Sequence, residues 1–291
     1  MDFEGHVIRP PSEADSILLE VTVGCSHNAC TFCGAYQLDR FREKSDRAIT
    51  AALAEAAEHC RHRSRVFLCN GDALALAQSR LVWILALTRE RLSWVTSVSS
   101  YVSAQNVAQK SDAELAELRA LGLRMVHLGL ESGDDVTLRE VRKRGDCAFI
   151  VEQARRVRAA SIQVFVTVLL GLAGKERSLI HAEATGRALT RMDPGFVGAL
   201  TLMLIPGTVQ FQRWRAGGFE MPGPHGLLEE LRVLVEHTTL SRGMFYANHA
   251  SNYLPLRVRM PGEKERALQL IKDVLQRKDP ELLRPEYMRA L

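Results

Sequence analysis

The sequence has no apolar stretch long enough to cross a bilayer. The longest, "VFVTVLLGLAG" from Val164 to Gly174, is 11 residues, about half of what a spanning helix needs. It has no low-complexity segment and no internal repeat at the periods of solenoids or propellers. The opening "MDFEGHVIRPPSEAD" contains acids, a His and two prolines but no apolar core, so neither a signal nor a transit peptide is expected, and no membrane association. A cytoplasmic location follows as an expectation. Neither charge sign dominates: 38 basic against 34 acidic residues give a net +4, a mild preference for anions and no pointer to nucleic acid. Cysteine is scarce, with 6 in 291 residues, unevenly spaced. That argues against a disulfide framework and for metal or redox chemistry in a reducing compartment.

At 46% hydrophobic and 25% charged, the chain has the composition of a globular protein with a large core. Short β-branched runs alternate with helical patterns from Ile17 to about Pro206. Strands are predicted over Ile17 to Val23, Arg65 to Asn70, Trp94 to Ser100, Arg124 to Leu130, Ile162 to Leu170 and Phe196 to Ile205. Helices are predicted over Arg47 to Arg61, Arg80 to Arg91, Ser111 to Leu121, Asp134 to Arg142, Asp146 to Ala159 and Lys175 to Met192. Ser111 with Glu114 forms a capping-box pattern, and Gly122 suits the C-cap. Such repeated βα units predict an α/β fold with a parallel sheet, either open and doubly wound or an incomplete barrel. Its ligands would lie at the carboxyl ends of the strands. The expected division is an N-terminal strap over 1–16, the βα body over 17–210 and a helical extension over 211–291. That extension has helices at Leu227 to Ser241 and Gly262 to Arg277 after a Gly/Pro-rich connector.

Half of the cysteines fall within nine residues. Cys25, Cys30 and Cys33 form a CxxxxCxxC loop directly after the first strand. Three thiolates can hold three corners of a [4Fe-4S] cube and leave one iron open for chemistry, whereas four would close it. The competing reading is a structural Cys3His zinc site completed by His27. Further strand-end signals are "CNGDAL" with Gly71 and Asp72, "GLESGDD" with Glu131, and "LLGLAG" with its glycine turn. Each alone also suits an ordinary turn.

With these residues assembled, Ile17 to Gly207 resembles the radical S-adenosylmethionine (SAM) superfamily. The resemblance implies a partial parallel (β/α)6 TIM-like barrel and one oxygen-sensitive [4Fe-4S] cluster on Cys25, Cys30 and Cys33. It also implies an open iron that chelates the amino and carboxylate groups of SAM. Reductive cleavage would yield a 5′-deoxyadenosyl radical that abstracts hydrogen from substrate. By the same resemblance Asn70, Gly71 and Asp72 correspond to the Gly-Gly-Glu segment that meets the methionine ammonium, Glu131 to the ribose-binding acid, and the turn from Gly171 to Gly174 to the adenine support. Phe32 corresponds to the aromatic that shields the cluster. The loop has one residue more than the commonest CxxxCxxC spacing, a subgroup mark. The partners implied are an electron donor such as flavodoxin or ferredoxin and a substrate.

The remaining cysteines, Cys60, Cys69 and Cys147, are too scattered for a second cluster and are read as structural. Ser99 and Tyr101 in "SVSSY" end the third strand, where the SAM carboxylate or substrate could be met; local capping explains them equally. Asn248, His249 and Asn252 in "YANHASNY" are candidate substrate contacts, with self-satisfied turn residues as the alternative. The basic runs Arg61 to Arg65, Arg142 to Arg144 and Arg155 to Arg158 fit solvated helix ends better than an RNA surface. The substrate expected is a small or medium-sized metabolite. The alternatives are a radical SAM enzyme acting on RNA or a peptide, and a non-catalytic zinc-binding α/β protein.

Overall fold

The computed structural model describes residues 3–4 and 7–290. In chain order its strands are β1 (Ile17–Glu20), β2 (Thr22–Val23), β3 (Arg42–Glu43), β4 (Arg65–Cys69), β5 (Ser97–Val102), β6 (Leu123–Glu131), β7 (Gln163–Leu170), β8 (Phe196–Thr201), β9 (Gly243–Tyr246) and β10 (Arg257–Met260). The helices are α1 (Asp46–His59), α2 (Gln78–Arg91), α3 (Ala104–Ala108), α4 (Asp112–Ala120), α5 (Asp135–Glu140), α6 (Cys147–Ala159), α7 (Gly174–Met192), α8 (Val209–Arg215), α9 (Pro224–Glu236) and α10 (Lys264–Arg277). Eight strands form one mostly parallel sheet in the order β1-β4-β5-β6-β7-β8-β9-β10, and β2 pairs with β3 in a short ribbon. The fold is therefore of the expected parallel α/β class.

The chain forms two compact units. The first comprises Met1–Asn28, Ala35–Leu128 and Arg155–Val164. Here β1 runs parallel to β4 with Ile17 opposite Val66, and β4 parallel to β5 with Phe67 opposite Ser99. In β5 and β6, Tyr101 stands opposite His127. Burial of β4 on both faces explains its unbroken "VFLC". Ile49, Leu53 and Ala56, spaced four and three apart, form the buried stripe of α1, whose start is capped by Ser45 accepting the Ala48 N–H. The predicted capping box is present: Ser111 and Glu114 each accept the other's backbone N–H, at 3.2 and 2.7 Å.

The second unit comprises Ala29–Gly34, Gly129–Ala154 and Phe165–Leu291. In it β7 is parallel to β8, β8 to β9, and β9 antiparallel to β10. Its core holds Val166, Val168, Val197, Ala199, Leu189, Leu231, Leu234, Phe245 and Ile271. The C-terminal extension is not helical alone. Between α9 and α10, the stretch rich in polar and aromatic residues contains β9 and β10, which continue the sheet. Each is four residues long, and the buried-exposed alternation of β10 is too short to stand out from a loop.

Candidate active site

The cysteine loop leaves β2 through Gly24, whose φ of +74° and contact with the Asp39 and Arg40 backbone leave no room for a side chain. Cys25, Cys30 and Cys33 are each half-buried. Cys25 belongs to the first unit. There, a side chain at Gly71 (φ +69°) would collide with the Gly24 carbonyl and touch the Cys25 backbone. The Gly71 turn therefore rests directly on the loop entrance. Asn106 ties the same two segments together, donating its amide to Ser26 Oγ at 3.0 Å and to Asp72 Oδ2 at 2.7 Å.

Cys30 and Cys33 lie on Ala29–Gly34, in the second unit. Thr31 fixes this segment: its N–H donates to the Val141 carbonyl at 3.0 Å, and its carbonyl accepts the Gln210 N–H at 2.9 Å. Phe32 packs against the buried cluster of Val141, Leu172 and Leu202. Among the described residues no three His, Cys, Asp or Glu side chains converge as a ready-made metal site. The donor set of the loop is the three thiols, soft ligands whose chemistry fits an iron-sulfur cluster.

Asn70 and Asp72 occupy different environments from that of a simple backbone turn. Asn70, at φ +66°, is buried and donates its amide to Glu20, which also pairs with Lys44 at 3.0 Å. Its Oδ1 is buried without a hydrogen-bond partner, an acceptor held ready for a donor. Asp72 accepts N–H groups from Leu74 and Ser103 and the Asn106 amide, so it organises the ends of β4 and β5. Burial pushes its carboxyl up, against the opposing pull of Ser103 and Asn106. Ser99 is buried and donates to the Val66 carbonyl at 3.4 Å. Burial would raise the nearby Glu13 carboxyl, but His127, Ser16 and Ser99 hold it below the usual range. The Tyr101 ring meets Phe67 and His127 edge-on at 5.1 and 5.8 Å, and burial pushes its phenol up.

Glu131, the last residue of β6, has φ +63°, and the Ser132 N–H closes onto the Leu130 carbonyl at 2.8 Å. That three-residue turn with a non-glycine centre is strained. The Glu131 carboxylate lies 2.9 Å from Lys143 Nζ. Gly129 leaves the space, because a side chain there would strike both partners. Gly171, at φ +80°, begins the turn after β7 and packs on Leu227 and Met221. Through Phe32, Val141 and Leu172, the second unit brings the Cys30 to Cys33 segment, the helix after Glu131 and the Gly171 turn together.

The candidate substrate residues are dispersed in role. Asn248 is exposed and His249 half-buried. Asn252 is buried: its amide donates to the Ala199 and Ala247 carbonyls, both at 2.8 Å, and its Oδ1 accepts the Thr201 hydroxyl. It staples the loop to β8. Cys69 is buried, its thiol pushed up to about 12 by burial and by Glu20, which makes it an inert packing group. Cys147 accepts from Arg191 at 3.1 Å, and burial raises its thiol too. Cys60 caps α1. The buried polar groups not singled out in the sequence include Glu13 and His127 in the first unit, and His181 and Glu230 in the second. Glu230 does carry a signal, a charge inside the apolar stripe Leu227, Leu231 and Leu234.

Among the described residues no helix is long and apolar enough to cross a membrane. No curated protein matches the chain in sequence. Solved structures do match in fold. Methylornithine synthase is similar at 17% identity and a TM-score of 0.54, over 77% of this chain and 63% of that one. Coproporphyrinogen III oxidase from Escherichia coli, described as a radical SAM enzyme, is similar at 16% identity and TM-score 0.54, over 77% and 53%. A radical SAM methyltransferase from Kitasatospora setae, with cobalamin and a [4Fe-4S] cluster bound, is similar at 16% and 0.54, over 71% and 41%. The chain thus spans between two fifths and two thirds of the length of these proteins. The Radical SAM superfamily profile matches residues 19–181, more than half of the chain, from β1 through the first turns of α7. With the three-thiol loop at the start of that span, the chain belongs to the radical SAM superfamily.

Proposed function

We propose that Cys25, Cys30 and Cys33 hold a single [4Fe-4S] cluster and that the enzyme takes a hydrogen atom from a small or medium-sized metabolite. When bound, the cluster and SAM supply reductive cleavage of the cofactor and the radical that follows from it. The observation that carries the reading is the disposition of the six cysteines. Three are half-buried on one loop, while Cys69 and Cys147 are buried packing groups with raised thiols and Cys60 caps a helix.

The chain's own residues bind, orient and shield. Thr31 and Gln210 hold the Cys30 to Cys33 segment in place, and Phe32 covers it with apolar surface. Asn70 offers its unpartnered Oδ1, and the Gly71 carbonyl region approaches closely because no side chain intervenes, a combination suited to an ammonium group. Asp72 acts through the backbone it organises. Glu131 presents its carboxylate, oriented by Lys143, to a pair of ribose hydroxyls. The Gly171 turn supports the adenine. Asn248 and His249, the candidates of the C-terminal loop whose side chains are not buried, meet substrate, and an electron donor such as flavodoxin or ferredoxin is the reductant.

Protein reconstituted without oxygen is expected to be brown, to hold four irons per chain, and to form 5′-deoxyadenosine from SAM with dithionite. A colourless protein with one stoichiometric zinc overturns the reading. Deuterium transfer from a labelled metabolite into 5′-deoxyadenosine identifies the substrate, and transfer from RNA or a peptide instead overturns the metabolite assignment.

A further inference from the structure

The second unit contains a buried polar chain that none of the roles above uses. Glu230 on α9, fully buried, accepts the Gly171 N–H at 2.6 Å through Oε1 and the Ser178 hydroxyl through Oε2. The same Oε1 stands 3.4 Å from Nε2 of His181, which is 1% exposed. Across the imidazole, Nδ1 lies 2.7 Å from the Ser132 hydroxyl, and Ser132 Oγ accepts the Asp134 N–H at 3.0 Å. Polar contacts therefore run from the Gly171 turn to the residue beside Glu131, hydrogen bonds at each end joined by the 3.4 Å approach of His181 to Glu230.

Helix α7 is the frame for this chain. Arg177, His181 and Thr185 are spaced four apart on one face. Arg177 grips both oxygens of Asp134 at 2.9 and 3.1 Å. Thr185 accepts the Gly133 N–H at 2.8 Å and donates to the His181 carbonyl at 2.6 Å. Gly133 itself rests on the helix backbone, since a side chain would collide with Ala184. Ser132, Gly133 and Asp134 are thus all held by α7, immediately after the strained Glu131. Strain of that kind persists only where the surroundings over-determine it. Packing alone does not account for Glu230. Leucine at that position would complete the Leu227, Leu231 and Leu234 stripe, and apolar replacements of buried ionic groups are often neutral or stabilising.

We propose that Ser132, His181 and Glu230 are positioning residues for the nucleoside half of SAM, locking the Glu131 turn and the Gly171 turn to one rigid frame. The inference rests on the roles given above to Glu131 and Gly171. Isothermal titration of the anaerobic, cluster-loaded enzyme without reductant tests it, with two probes: 5′-methylthioadenosine for the nucleoside half and L-methionine for the amino-acid half. Ser132→Ala is expected to weaken 5′-methylthioadenosine about tenfold, with methionine affinity and iron content retained. Glu230→Gln, which keeps volume and one acceptor, is expected to weaken it about threefold and decides the matter should Ser132→Ala fail to fold. Equal loss for both probes, or 5′-methylthioadenosine affinity within twofold of the parent, overturns the proposal. Glu131→Ala separates the two levels. If it weakens 5′-methylthioadenosine while the other variants do not, only the positioning role falls; if it too has no effect, the nucleoside assignment falls and this inference with it.

Discussion

Thr31 and Gln210 are bonded twice: the Gln210 N–H donates to the Thr31 carbonyl at 2.9 Å, and the Thr31 hydroxyl donates to Gln210 Oε1 at 3.3 Å. Both residues are buried. Because Thr31 sits between Cys30 and Cys33, the pair sets the path of two cysteines through interactions that need no metal. Thr31→Val keeps the shape and removes the hydroxyl, stranding a buried acceptor at a cost of about 1–3 kcal/mol. Chemical unfolding is expected to show that loss, and a chelator is expected to strip iron several-fold faster. Parent-like iron release would remove the pair from the ligand scaffold.

Cysteine substitution separates ligands from packing. Cys30→Ala is expected to abolish 5′-deoxyadenosine formation in a protein that still folds, since the thiol is half-buried on a loop. Cys147→Ala removes a buried sulfur that accepts from Arg191, and is expected to cost about 1–2 kcal/mol of stability with cleavage intact. Loss of cleavage in both variants would show that the ligand set has been misassigned.

Two glycines with positive φ separate strain from collision. At Gly122 (φ +111°) nothing lies within 4 Å of an added Cβ, so Gly122→Ala carries backbone strain alone, about 1–2 kcal/mol. At Gly71 the added carbon meets the Gly24 carbonyl beside Cys25, and backbone cannot rotate away as a side chain can. Gly71→Ala is expected to lower iron content severely while Gly122→Ala leaves it unchanged. Absorption and iron analysis at matched folded fraction provide the comparison.

The parts of this molecule legible in its sequence are those fixed by local chemistry. Ser111 and Glu114 cap α4 through their own side chains and backbone, so spacing reveals them. The three thiols announce metal chemistry by type and spacing. Glu230 and His181 are different, because their partners lie about fifty residues away: the hydrogen bonds to Gly171 and Ser132 span 59 and 49 positions. A Glu within an apolar stripe shows that something unusual is buried, and only the fold shows what it binds. Asn252 was hidden the same way, since a polar loop residue looks alike whether it meets substrate or the carbonyls of Ala199 and Ala247. Strands β9 and β10 exist because β8 offers an edge to extend, a tertiary cause that four-residue patterns do not carry.

Gly129 provides an indirect test of Glu131. A methyl group at 129 would occupy the space of the Glu131 carboxylate and Lys143 ammonium, and both are ends of flexible side chains that can yield. Gly129→Ala is therefore expected to fold, to keep its iron and to weaken SAM binding in the same direction as Glu131→Ala, by about tenfold or 1.4 kcal/mol. Equilibrium binding without reductant measures both. Parent-like affinity in Gly129→Ala alongside loss in Glu131→Ala would mean that the carboxylate reaches ribose from a different rotamer.

His249 predicts the direction of the pH dependence of stability. Its Nδ1 accepts the Ser251 N–H at 3.2 Å and faces Ser251 Oγ at 2.9 Å, while Ser251 Oγ accepts the Thr201 N–H at 3.0 Å, linking the loop to the end of β8. Burial, and then the Arg284 guanidinium that donates to the His249 carbonyl, hold the imidazole below its ordinary range. The neutral ring is thus the folded form. Below about pH 6.5 the unfolded chain takes up a proton that the folded chain declines, so stability falls as pH drops through that value and levels off below the folded pKa. Urea midpoints between pH 8 and 5.5 are expected to decline in the parent, and to decline less in His249→Asn, which keeps an acceptor and cannot be charged. Equal slopes in the two proteins would assign the pH response to the other histidines and leave His249 as a neutral spectator of the loop it helps to fasten.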